Sequence, residues 1–65
     1  MKAETVVRKV NNARYLRGSA CVRFGAAIGE IYCTRASYII EDVFYLYQGK
    51  ALIGYFHAPS VKRVL

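Results

Sequence analysis

Residues 2–18 read KAETVVRKVNNARYLRG, and two incompatible structures compete for them. Ala3, Val6, Val7, Val10 and Ala13 recur at helical spacing. Glu4 stands near the start, Arg14 and Arg17 near the end, and Gly18 just beyond, an order that suits a helix dipole and a glycine cap. Against a helix, the valines are β-branched, and Asn11–Asn12 makes a credible tight turn because asparagine tolerates positive φ. A hairpin would set Lys9 opposite Arg14, an unfavourable like-charge pair. Composition tips the reading to strands. The expected fold class is therefore all-β: a small antiparallel curled sheet or barrel of four to six strands, in a single domain, 1–65. The alternative is α+β, with one N-terminal helix over residues 3–17 on an antiparallel sheet.

The rest of the chain reads as strands under either choice. Val, Ile, Thr, Tyr and Phe crowd the segments between glycines 18, 25, 29, 49 and 54, and the glycines punctuate as turns do. SACVRF at 19–24 alternates, with Ala20, Val22 and Phe24 on one side and Ser19, Cys21 and Arg23 on the other. EIYCTRA at 30–36 predicts a second strand. YIIEDVFYLY at 38–47 predicts a third, bent or interrupted at Glu41–Asp42. ALIGYFH at 51–57 predicts a fourth, and SVKRVL after Pro59 a short edge strand.

Residues 44–56, FYLYQGKALIGYF, form the most apolar stretch. A two-residue Gln48–Gly49 turn would need positive φ at glutamine. A three-residue loop, Tyr47–Gln48–Gly49, instead puts glycine at the left-handed position, and is the expected turn. Phe44, Leu46, Leu52 and Phe56 then share one face with Gly54. Val43, Tyr45, Ile53, Tyr55 and His57 share the other. The first set predicts a core layer. The second, with phenols and an imidazole, predicts a face that tolerates water, or one that packs under a helix or a second copy.

The chain carries ten Lys and Arg against four acids, a formal +6. No acid falls between Glu4 and Glu30, a window holding Arg8, Lys9, Arg14, Arg17 and Arg23. Arginine outnumbers lysine six to four, and its planar fork is the better phosphate or carboxylate partner. These features predict an anionic partner: nucleic acid first, an acidic protein surface second. Tyrosines beside arginines suit single-stranded RNA or DNA, because bases stack on aromatic rings and guanidinium groups hold phosphates. The candidate nucleic-acid-binding residues are Arg14, Tyr15, Arg17, Arg23, Tyr45, Tyr55 and His57. A small regulator or inhibitor docking on an acidic partner protein is the alternative.

A domain this small buries only about 60% of the surface its unfolded chain exposes. With 55% hydrophobic residues, more apolar material is present than one tiny protomer hides, so a homo-oligomer is expected. No apolar run approaches the roughly 20 residues that span a bilayer, and nothing reads as a signal peptide. Two cysteines make no disulfide framework, and a cytoplasmic protein with reduced thiols is the expectation.

Leu46-Tyr-Gln-Gly49, followed after four residues by Gly54, is similar to the glycine spacing in the first motif of Sm-like RNA-binding barrels. The aspartate and asparagine that those proteins carry shortly afterwards are absent. Ile53–Gly54 with Ala58–Pro59 and Val61 resembles the middle of carbon-storage-regulator proteins, with one residue too many between the pairs. Each likeness spans nine residues and assigns no family.

Catalytic and metal chemistry find little purchase. Cys21, Cys33 and His57 have no close ligand spacing, and no motif marks a nucleophile. Glu41 and Asp42 are neighbours and would point to opposite faces of a strand. GAAIG at 25–29 lacks the Lys-Ser/Thr of a phosphate loop. The expectation is a non-enzymatic binding module without metal or cofactor.

Overall fold

The computed structural model describes all 65 residues, Met1–Leu65, and resolves the N-terminal ambiguity in favour of a helix. Helix α1 spans Ala3–Arg17 and buries Ala3, Val6, Val10 and Ala13. Gly18 ends it in the left-handed conformation (φ 85°), its N–H donating to Arg14 O at 2.7 Å. The all-β expectation is thus corrected to α+β. The β-preference of three valines is a weak prior, and a place to bury them together outweighs it. Asn11 and Asn12 sit within the helix, not at a turn.

Six strands follow: β1 (Ala20–Phe24), β2 (Glu30–Cys33), β3 (Arg35–Ile40), β4 (Val43–Gln48), β5 (Ala51–His57) and β6 (Val61–Val64). They form two antiparallel three-stranded sheets, ordered β2-β1-β6 and β3-β4-β5. Only Thr34 separates β2 from β3, so one nearly continuous run leaves the first sheet and enters the second there. Its N–H donates to Tyr47 O at 2.9 Å, and its hydroxyl accepts from Gly49 N–H at 2.7 Å. Thr34 therefore ties the crossing point to the β4–β5 turn. Arg35 and Ala36, expected to end the second strand, belong to β3 instead. The interruption at Glu41–Asp42 is a full chain reversal between β3 and β4.

The β4–β5 turn also differs from expectation. Gln48 pairs with Ala51, leaving a two-residue Gly49–Lys50 loop with positive φ (62°) at the glycine alone. That pattern fits a type II′ turn, which keeps the strong left-handed cost off any side-chain-bearing residue. The odd residue moves into the strand as a bulge, where Leu46 opposes Gly54 but Tyr47 opposes Leu52. The slip turns Leu52 outward. It is 57% exposed, not part of the core layer.

The core lies between the helix and the inner faces of both sheets. Phe24, Phe44 and Phe56 converge with ring centroids 5.2–6.2 Å apart, and Val6, Val10, Val22, Cys33 and Leu46 are fully buried around them. Burying each large side chain stabilises by about 1.5–3 kcal/mol. Helix and sheet are also sewn by Asn11. Its side-chain amide accepts from Ala36 N–H (3.3 Å) and donates to Ala36 O (3.4 Å), standing in for a neighbouring strand along the side of β3 away from β4.

Candidate functional site

Because α1 and the core take the inner face, the outer face of sheet β3-β4-β5 is left to solvent. The registers define its rows. Arg35, Tyr47 and Leu52 form one; Ser37, Tyr45 and Tyr55 the next; Ile40, Val43 and His57 the third. Tyr55 is 73% exposed, while Tyr45 and Tyr47 are half-buried. The rings of Tyr45 and Tyr55 lie 6.5 Å apart at 60°. The Arg35 guanidinium sits 4.0 Å above the Tyr47 ring, and Ser37 Oγ donates to the Tyr47 hydroxyl at 3.3 Å. These contacts pin Tyr47 and hold a cation flat against the sheet. No carboxylate stands on the face.

Of the residues expected from sequence, Tyr45, Tyr55 and His57 meet here. Arg14, Tyr15, Arg17 and Arg23 do not. Arg14 and Tyr15 are exposed on the last turns of α1, Tyr15 by 87%. Arg17 and Arg23 line an open hollow of about 310 Å³ on the outer side of the other sheet, with Ser19, Cys21, Glu30, Tyr32 and Leu65. Arg23 is engaged there by Glu30 at 3.4 Å. Arg35 and Tyr47 are the residues that sequence reading missed. Placing Tyr47 in the loop removed it from the strand alternation, although Tyr45 and Tyr47 share parity.

The hollow holds one thiol, that of Cys21. Cys21 Sγ donates to Glu30 Oε2 at 3.1 Å, and burial together with that carboxylate pushes the Cys21 thiol up. The same thiol hydrogen bond, with Arg23 nearby, holds the Glu30 carboxyl below its usual range. Burial, with a smaller contribution from Cys21, pushes the Cys33 thiol up to about 11. Reactive cysteines need a lowered pKa, and both shift the other way. No three His, Cys, Asp or Glu side chains gather into a set that would hold a metal ion. No helix is long and apolar enough to cross a membrane.

Three of the four acids share one end of the molecule with Lys2. Ala3 N–H donates to Glu41 O, so α1 begins over the β3–β4 turn and brings Glu4, Glu41 and Asp42 to one end. The helix ends at Gly18, and Ala20 then pairs with Cys33 beside Thr34, on which the Gly49–Lys50 turn hangs. Arg14, Arg17, Arg35 and Lys50 therefore collect at the opposite end. The tyrosine rows run between the two, with Arg35 and Tyr47 at the basic end.

No family model, curated protein sequence or solved structure matches this chain.

Proposed function

We propose that this protein is a small non-enzymatic binding module whose β3-β4-β5 outer face takes single-stranded nucleic acid. The observation that carries the reading is the carboxylate-free tyrosine face, with Arg35 laid over Tyr47 and an arginine-rich end beside it. Bases would stack on Tyr55 and on the exposed part of Tyr45, each at about 1–3 kcal/mol, with His57 extending the platform. Arg35 and Lys50 would meet the phosphates, and Arg14 and Arg17 would receive the strand where it leaves the face. Stacking is indifferent to base identity, so the module would discriminate weakly by sequence.

The test is a titration with single-stranded RNA and DNA over a range of salt. Neutralising three or four phosphates gives a slope of log K on log salt of roughly −2 to −3 for a single strand. Absence of binding at low salt would overturn the reading.

A second reading has its own observation. Leu16, Ile39, Ile40, Leu52 and Ile53 are exposed, an apolar display that suits a protein partner. In that case the cationic end would dock on an acidic protein surface. A pull-down returning one dominant protein after nuclease treatment would favour it over the first.

A further inference from the structure

We infer that β5 pairs with β5 of a second copy of this chain, joining two tyrosine faces into one. The inference deepens the preceding reading, since the second copy contributes its own Tyr55 to the platform.

The free side of β5 follows from the hydrogen bonds of β3. Ala36 directs its N–H and C=O to Asn11, away from β4. By strand alternation, its neighbours Arg35 and Ser37 direct theirs to Tyr47 and Tyr45. Tyr45 is then committed to β3, so Phe44 and Leu46 are the residues that bond β5, at Phe56 and Gly54. The N–H and C=O of Tyr55 and the N–H of His57 are left pointing off the free side of β5, while the His57 C=O caps the 3-10 turn Ala58–Ser60. They form an open ladder with nothing in the chain to complete it, since β5 has only β4 as a neighbour.

Strand edges in monomers are guarded by charge, proline or brevity. The other outer strands follow that rule: β2 and β6 are four residues each and carry Glu30 and Lys62–Arg63, and β3 is covered at Ala36 by Asn11. The ALIGYFH strand has seven residues, no proline and no Lys, Arg, Asp or Glu, and it displays Leu52, Ile53 and Tyr55. The total accessible surface, 4292 Å², is close to the roughly 4,200 Å² expected of a compact protein of this mass, so unusual compaction does not hide the apolar excess. That excess lies on the surface, and β5 is where backbone and side chains both ask for a strand.

The occupant that fits is β5 itself. An antiparallel pair about a two-fold axis at Tyr55 lets the two Tyr55 residues exchange both backbone bonds and sets His57 opposite the other copy's Ile53. Lys50, the cation nearest this edge, then falls beyond the end of the opposing strand at His57, so no like charges meet. The outcome is a six-stranded sheet with Tyr45, Tyr55, Tyr55 and Tyr45 in one row across the axis.

The test uses the whole chain without nucleic acid, so its outcome is independent of whether the face binds nucleic acid. Sedimentation across the micromolar range should show a dimer. Ile53→Lys, which adds a charge to the edge while leaving the β4 ladder intact, should sediment as a monomer with an unchanged circular dichroism spectrum. Directly opposed Cα atoms at about 5.5 Å lie within disulfide range, so Tyr55→Cys should give a covalent dimer under mild oxidation. The inference is overturned if the wild type stays monomeric. It is equally overturned by an assembly in which Tyr55→Cys does not cross-link to itself, as when β5 meets β6 of the next copy. Should Ile53→Lys fail to fold, the cysteine variant still decides.

Discussion

Asn11→Ala isolates the seam between helix and sheet, because two effects of opposite sign can be separated there. Removing the amide strips Ala36 of partners for both its N–H and its C=O. Each such bond contributes about 0.5–1.5 kcal/mol net. Both are long, and Asn11 keeps one side in water, so roughly 1.5 kcal/mol for the pair is the appropriate figure. Alanine is the better helix former and returns about 0.5 kcal/mol. The net loss is about 1 kcal/mol, or roughly 4–8 °C in Tm for a domain of this size. Asn12 makes no side-chain hydrogen bond, so Asn12→Ala receives only the helical gain and should raise Tm by a few degrees. Asn11→Asp keeps the acceptor but turns a carboxylate toward Ala36 O. It should be less stable than the wild type at neutral pH and recover in mild acid, where the protonated carboxyl donates again. Thermal melts of the three variants by circular dichroism suffice. If Asn11→Ala and Asn12→Ala shift Tm in the same direction, Asn11 does not seal β3.

Other outcomes follow from the core, the face and the thiols. Phe44→Ala should cost about 3–5 kcal/mol, against a total of roughly 3–10 kcal/mol for a chain this long, and denaturant titration should find the variant largely unfolded. Tyr55→Ala should weaken single-strand binding by about five- to a hundredfold or more, with Tyr55→Phe near wild type, as read by fluorescence anisotropy. Equal losses for both would rule out stacking. In the folded protein Cys33 holds its proton up to about pH 11, whereas an unfolded thiol ionises near 9. Its contribution to stability is therefore complete below about pH 9 and lost as pH rises to 11, and a pH series of chemical melts should fall over that window. Gly49→Ala forces a side chain into positive φ and should destabilise by about 1 kcal/mol, with the loss reported by equilibrium unfolding.

Local periodicity located most of the strands, because each alternates against a single buried face. ALIGYFH and the basic edge strand after Pro59 were legible, as were the burial of Phe44 and Leu46 and the packing of a partly buried Phe56 against them. The helix was written in the spacing of Ala3, Val6, Val10 and Ala13, yet its rival could be dismissed only with the sheets in hand. What decides it is the apolar inner faces of the two sheets, a property of residues distant in sequence. Leu52 escaped for a similar reason. A bulge and a longer turn absorb the same odd residue, and only the anchoring of Gly49 by Thr34, fifteen positions away, selects the bulge. The tyrosine face was legible in Tyr45, Tyr55 and His57. Its cation was not, since Arg35 reaches Tyr47 across strands whose register no local pattern specifies.

The separation of Glu4, Glu41 and Asp42, offset in part by Lys2, from Arg14, Arg17, Arg35 and Lys50 gives the protein an electric moment along its strands, across the tyrosine rows. In the field of a polyanion that moment exerts a torque before any contact is made, and the molecule arrives arginine-first. A short oligonucleotide would therefore settle against Tyr47 and Arg35 and leave the His57 end vacant, so occupancy should fill in one direction as the strand is lengthened.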